Sequence, residues 1–94
     1  MNLTVRFVGS LRGISGKSKI TLKLDKETVL TQVIKKLTKD FPMLEKALID
    51  FEQGELRPNT LILVNGKEIS VLKGLETMLR DGDEVVFVPV SHGG

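Results

Sequence analysis

The chain ends in Ser91-His92-Gly93-Gly94, and this terminus holds the residue types best suited to chemistry. Glycine has no Cβ, so a diglycine end can enter a narrow channel and adopt backbone angles that are closed to other residues. At a glycine usage of about 7 per cent, chance places two glycines there in roughly one chain in 200. We interpret Gly93-Gly94 as an end whose carboxylate is presented to a reagent inside another protein. A frayed terminus is the alternative.

Other motifs that resemble binding sites are better explained as structure. Residues 16–18 (Gly-Lys-Ser) match the end of a phosphate-binding loop, but that motif needs a glycine where this chain has Leu11. The acidic segment 81–84 lacks the spacing of a calcium loop and is typical of a turn. His92 is interpreted as a solvated tail residue rather than a proton carrier. We therefore expect no catalytic residue, no metal site and no bound cofactor.

Composition limits the class of protein that carries this end. The 94 residues, 40% of them hydrophobic and 28% charged, are typical of one globular domain. The absence of cysteine excludes disulfides and thiol nucleophiles, and a single histidine excludes a structural zinc site. A net charge of +2 without tyrosine or tryptophan argues against nucleic acid as a partner. We also expect no signal peptide and no membrane partner, hence a cytoplasmic location.

Alternation of apolar and polar residues predicts the strands that lead to the tail. The predicted strands cover residues 2–7, 19–24, 60–64, 67–70 and 84–90. Residues 9–16 are rich in glycine and serine, which predicts a loop. Asn65-Gly66 is the favoured pair for a tight type I′ hairpin turn.

Helical spacing of apolar residues predicts one main helix between the two pairs of strands. Thr28 is predicted to be its N-cap, and Pro42 is predicted to end it. A second, shorter helix is predicted from Met43 to a point before Gly54. The order ββαββ predicts an α+β fold. Its predicted core comprises Leu3, Val5, Phe7, Ile20, Leu22, Val33, Leu37, Ile62, Val64, Val85 and Phe87.

The predicted last strand is apolar on both faces, although a sheet covered by one helix needs only one apolar face. If Val85 and Phe87 point at the helix, their neighbours point to solvent, and the same holds for the strand before the Asn-Gly turn. The residues expected on this outer face form a predicted partner-binding patch of Leu61, Leu63, Val86, Val88 and Val90. An exposed apolar patch usually marks a partner site. Coverage by a loop or by a second copy of the chain is the alternative.

Segments spread over the whole chain match one family. They are Val5-Arg6-Phe7 with Ser10-Leu11-Arg12, Thr28-Val29, Leu63-Val64-Asn65-Gly66, residues 75–85, and Gly93-Gly94. In these segments the chain resembles the ubiquitin-like β-grasp sulfur carriers and modifiers. This group includes the small subunit of molybdopterin synthase, the thiamine sulfur carrier, the ubiquitin-related modifier and the small archaeal modifier proteins.

The resemblance implies a fold and leaves the branch of the family open. The implied fold is a ubiquitin-like β-grasp: a mixed sheet of four to five strands on one main helix. Residues 1–90 would form this domain and residues 91–94 a flexible, reactive tail. The segment 89–92 departs from the synthase subunits, which often carry Pro-Pro and a small residue there. The His-Gly-Gly end is closer to the modifier branch.

The resemblance also implies that the chain is acted upon and is not itself an enzyme. An activating enzyme of the ubiquitin type would adenylate Gly94 with ATP, and Ser91, His92 and Gly93 would form the tail that reaches it. The activated end would become a thiocarboxylate, a sulfur donor for molybdopterin or transfer RNA, or would join a lysine through an isopeptide bond. The large subunit of molybdopterin synthase and lysines of target proteins are the further partners implied. The alternative is a non-reactive β-grasp module that binds a partner through its sheet face.

Overall fold

Short strands and short helices follow one another along the chain. A computed structural model describes residues 1–50, 55–56 and 60–89. The strands are β1 (Asn2–Phe7), β2 (Lys19–Lys23), β3 (Thr28–Val29), β4 (Ile49–Asp50), β5 (Glu55–Leu56), β6 (Thr60–Val64), β7 (Lys67–Glu68), β8 (Met78–Leu79) and β9 (Glu84–Pro89). The α-helices are α1 (Ser10–Ser15), α2 (Leu30–Asp40) and α3 (Met43–Leu48). Two 3₁₀ helices cover Ile69–Val71 and Gly74–Glu76.

The main sheet has five strands in the order β2-β1-β9-β6-β7. The first and last strands, β1 and β9, are parallel neighbours, and the other adjacent pairs are antiparallel. Strands β3 and β8 form one two-stranded ribbon, and β4 and β5 form another. This mixed sheet with helices confirms the predicted α+β class and the predicted number of strands.

One face of the sheet and the apolar face of α2 form the core. Every predicted core residue is buried except Ile20, which is partly buried against the others. Phe7 and Phe87 lie side by side on β1 and β9 with stacked rings, 5.8 Å between centroids. Phe41, at the end of α2, meets Phe7 edge to face at 6.4 Å. The inward faces assigned from the alternation of residues are therefore correct.

The loop predicted over residues 9–16 is wrong, because Ser10–Ser15 form helix α1. Leu11 is 2% exposed and belongs to the core, so its burial stabilises a turn of helix that glycine-rich composition disfavours. The helix ends at Gly16, which has a left-handed backbone (φ 75°) and donates its N–H to the Arg12 carbonyl at 2.9 Å. A strand follows, so the Gly-Lys-Ser segment lacks the helix that a phosphate-binding loop requires.

The prediction that Thr28 caps the main helix is also wrong. Thr28 lies in β3 and pairs with Leu79, and α2 begins two residues later at Leu30. The Leu30 amide donates to the carbonyl of Thr77 at 2.9 Å, so a distant residue satisfies the donor that a side-chain cap would have served. The predicted stop at Pro42 is confirmed, since α2 ends at Asp40. The second helix is shorter than the predicted limit and ends at Leu48.

The Asn65-Gly66 turn is confirmed, with φ of 51° at Asn65 and 83° at Gly66, as a type I′ turn requires. The Asn65 side chain also ties this turn to the next one. Its Oδ1 accepts from the Glu84 amide and its Nδ2 donates to Asp83 Oδ1, both at 2.9 Å. Asp83 Oδ2 accepts from the Arg80 amide at 2.9 Å. The acidic segment 81–84 therefore serves the start of β9.

We predict that Phe87→Ala destabilises the fold by about 3 to 5 kcal/mol, because it leaves a cavity as well as losing apolar burial. The Phe87 side chain is fully buried in the core, on a strand that pairs with β1 and β6. Chemical denaturation of the purified variant measures the loss. Leu61→Ala, on the opposite face of the sheet at 37% exposure, is the control and should cost far less. An equal loss in the two variants would contradict the assigned faces.

Candidate functional site

The outer face of the sheet brings the predicted patch residues together. Strands β6 and β9 pair so that Leu61 lies opposite Val88 and Leu63 lies opposite Val86. Directly opposed residues on one face of an antiparallel pair have Cβ atoms about 4.5 to 5.5 Å apart. These four residues, hereafter the apolar patch, are thus adjacent. Val90, the fifth predicted member, lies outside the described residues.

The apolar patch is less exposed than the alternation of residues suggested. Leu61 is 37% exposed, whereas Leu63, Val86 and Val88 are partly buried. The difference arises because each side chain is flanked by others on the same face, which sequence alternation does not reveal. The sequence neighbours Ile62 and Phe87 face the core, so the patch residues lie on the opposite, outer face of the sheet. The patch therefore remains open to contact.

Beside the apolar patch lies one more exposed apolar residue, which the sequence analysis missed. Val8 follows β1, is 39% exposed and donates its amide to the Phe87 carbonyl at 3.1 Å. It shares a depression with Val86. The alternation of β1, continued by one step beyond Phe7, points Val8 to the outer face and could have identified it.

A basic depression of about 350 Å³ borders the apolar patch on the side of β1 and β2. Its lining includes three cationic residues, Arg6, Arg12 and Lys19, which come from β1, α1 and β2. Arg6 Nε lies 3.7 Å from Glu84 Oε2, which partly offsets its charge. Among the described residues, neither Arg12 nor Lys19 has an ion-pair partner. A carboxylate on a partner would complement this border.

The described part of the chain ends at Pro89, the residue from which the predicted tail extends. Pro89 ends β9, and the predicted tail residues Ser91, His92, Gly93 and Gly94 lie outside the described residues. Along the chain, Gly94 is six residues beyond Val88. The strand that carries half of the apolar patch is therefore the strand that precedes the tail.

The structure supplies no metal cluster in the part of the chain it describes: no three His, Asp or Glu residues are grouped to hold an ion. Asp81 Oδ1 instead accepts from the Asn2 amide at 2.7 Å, and Asp83 uses both of its oxygens in the turn. The described helices are also too short or too polar to span a membrane.

Comparison with known proteins gives matches over nearly the full chain. A family model described as Urm1 (ubiquitin related modifier) matches residues 2–94. Small archaeal modifier protein 3 of Haloferax volcanii is 36% identical over 94 residues, covering 99% of this chain and 100% of its own. A putative sulfur carrier protein of Archaeoglobus fulgidus is 49% identical over 51 residues, covering 54% of this chain and 56% of its own.

A solved structure is similar in both fold and sequence. The solution structure of small archaeal modifier protein 1 from Methanosarcina acetivorans has a TM-score of 0.83 and 32% identity. The match covers 99% of this chain and 96% of the other. The five-stranded mixed sheet with its helix is thus a ubiquitin-like β-grasp.

Proposed function

The chain belongs to the ubiquitin-related modifier family and is a ubiquitin-like sulfur carrier or modifier, and we propose that its reacting group is the Gly94 carboxylate. In this proposal a ubiquitin-activating-type enzyme binds the sheet face and activates Gly94 with ATP. The chain brings the reacting group and the docking surface, and the enzyme supplies the catalytic groups. We expect this chemistry in the cytoplasm, where ATP is available.

The observation that carries the proposal is that β9 has one face in the core and the other in the apolar patch. Its inward residues Val85 and Phe87 are fixed in the core, while Val86 and Val88 belong to the apolar patch. Five residues follow Pro89 in the sequence, and they span at most about 17 Å. An enzyme seated on the patch would therefore have its active site within reach of Gly94.

The proposed chemistry begins with adenylation, because a free carboxylate is a poor electrophile. The Gly94 carboxylate attacks the α-phosphate of ATP, and pyrophosphate leaves. Hydrosulfide or a lysine amine then attacks the acyl carbon, forms a C–S or C–N bond and releases AMP. The first product is a thiocarboxylate and the second an isopeptide. Glycine at position 93 keeps the chain next to the reacting carbon narrow.

The apolar patch and its basic border would supply the docking energy. Burial of partly exposed Leu and Val side chains is favourable, while the cations of Arg12 and Lys19 would attract carboxylates and speed association. The same face is available to the other partners in the proposal, the large subunit of molybdopterin synthase or a target protein with a reactive lysine.

Mass spectrometry of the protein isolated from its native cell, intact and after proteolysis, distinguishes the two fates of Gly94. Replacement of one carboxylate oxygen by sulfur would identify the sulfur carrier. A peptide with Gly94 joined to a lysine Nζ would identify the modifier.

A second candidate function is a non-reactive module that binds a partner through the apolar patch alone. The patch favours this function as much as the first, since neither its geometry nor its exposure requires a reactive tail. The tail distinguishes the two functions: a binding module tolerates an additional C-terminal residue, whereas a carrier activated at Gly94 does not.

We predict that removing Gly94, or adding an alanine after it, abolishes ATP-dependent activation and leaves the fold intact. Gly93→Val should be nearly as damaging, because a β-branched side chain widens the tail and restricts its backbone. ATP–pyrophosphate exchange with the activating enzyme measures activation, and circular dichroism checks each fold.

His92→Ala is the matched tail control and should retain exchange, because we assign His92 no proton transfer. Full ATP–pyrophosphate exchange by the chain with an added alanine would contradict the carrier proposal and favour the binding module. Loss of exchange in His92→Ala with an intact fold would give the histidine a role.

We also predict that Leu61→Asp weakens binding to the activating enzyme at least tenfold, because the interface would bury a carboxylate without a partner. The melting temperature should fall little, since Leu61 is already 37% exposed. Isothermal titration calorimetry measures the affinity and a thermal melt measures stability.

Gln32→Asp is the control for this variant. Gln32 is exposed on α2, the helix that covers the inner face of the sheet. The variant introduces the same charge away from the apolar patch and its basic border, and it should leave the affinity unchanged. Equal weakening by both variants would place the binding surface elsewhere.

A further inference from the structure

Gly9 lies near the start of the fold and beside the end of the described chain, and its backbone conformation is unusual. It lies between β1 and α1 with φ 61° and ψ −134°, a region open to glycine and closed to most other residues. The residue before it donates to the Phe87 carbonyl at 3.1 Å, and its own carbonyl accepts from the Arg12 amide at 3.1 Å. Gly9 is therefore held against β9 on one side and begins α1 on the other.

The missing side chain of Gly9 leaves room for the ring of Pro89. A Cβ built at Gly9 would lie 3.1 Å from Pro89 Cγ and 3.7 Å from Cδ. The usual separation of carbon atoms in contact is about 3.5 to 4.0 Å, so the ring would have to move. Of the described glycines, Gly9 alone makes such an approach; a Cβ at Gly13 or Gly16 would meet nothing within 4 Å.

Pro89 is the residue through which a shift at Gly9 would reach the tail. It ends β9, opposite Thr60 of β6, and its ring fixes φ at about −65°. Because φ is fixed, a displaced ring carries its own carbonyl with it and turns the chain that follows. Five residues separate Pro89 from the end of the sequence, and Pro89 is the last described residue at which the fold can set the direction of the chain toward Gly94.

We propose that Gly9 is a positioning residue for the C-terminal tail: by seating the Pro89 ring, it sets the direction in which residues 90–94 leave the sheet. This inference rests on the proposed function, in which Gly94 is the activated group. Gly9 acts through Pro89 and touches neither ATP nor the reacting carbon. Its effect falls on the alignment of the carboxylate, and docking on the apolar patch is unaffected.

The test measures kcat and KM of ATP–pyrophosphate exchange at varied concentrations of the carrier chain. Gly9→Ala should lower kcat roughly tenfold or more, since a misplacement of about 1 Å at a reacting group has effects of that size. KM should be unchanged, because the apolar patch is untouched. Gly16→Ala is the matched control: it also places alanine at positive φ, but into open space, and should leave kcat unchanged.

A double-mutant cycle with Pro89→Ala separates positioning from general destabilisation. Pro89→Ala removes the ring and should itself lower kcat, and adding Gly9→Ala to it should cause little further loss. Because Pro89→Ala leaves Gly9 unchanged, it tests the same contact even if Gly9→Ala alone does not fold. Equal losses from Gly9→Ala in both backgrounds, or a rise in KM without a fall in kcat, would overturn the inference.

Nuclear Overhauser contacts in the parent protein test the geometry without any activity measurement. A cross-peak between the Gly9 α-protons and the Pro89 γ-protons is expected, and its absence would overturn the inference. If the contact is present but exchange does not depend on Gly94, the proposed function fails and the positioning role fails with it. If exchange depends on Gly94 but Gly9→Ala behaves like Gly16→Ala, the positioning role alone fails.

Discussion

The parallel pairing of β1 with β9 is the constraint on which the rest of the molecule depends. It joins the first and last described strands in the centre of the sheet and stacks Phe7 on Phe87. A parallel pair needs a long crossover, and here most of the chain provides it, including the α2 helix that covers the inner face. The Thr4 amide donates to the Asp83 carbonyl at 3.0 Å and the Gly82 amide donates to the Asn2 carbonyl at 2.8 Å, so the register of this pairing is fixed at the start of β9.

The central position of β9 explains how one strand serves both stability and partner binding. Its inner residues Val85 and Phe87 are fully buried, because the strand lies in the centre of the sheet between β1 and β6. Its outer residues have only the neighbouring strands beside them, and they stay partly open. In a strand, adjacent residues point to opposite faces, so a change at the apolar patch need not disturb the core. A carrier with this arrangement can vary its docking surface while it keeps its fold.

The base of the tail is where fold and proposed chemistry meet. The parallel register that stacks Phe7 on Phe87 also brings Gly9 beside Pro89, two residues further along each strand. The core thus reaches to Phe87, seven residues before Gly94.

The sequence by itself determined the elements that depend on local patterns. Alternation identified the inward faces of β1, β6 and β9, the Asn65-Gly66 pair identified its turn, and the terminal glycines identified the candidate reacting group. Tertiary structure decided what local patterns do not encode. Helix α1 forms because Leu11 enters the core, and α2 begins without a side-chain cap because the Thr77 carbonyl accepts its first amide. The Gly9–Pro89 contact joins residues far apart in sequence, and only the parallel pairing of β1 with β9 brings them together.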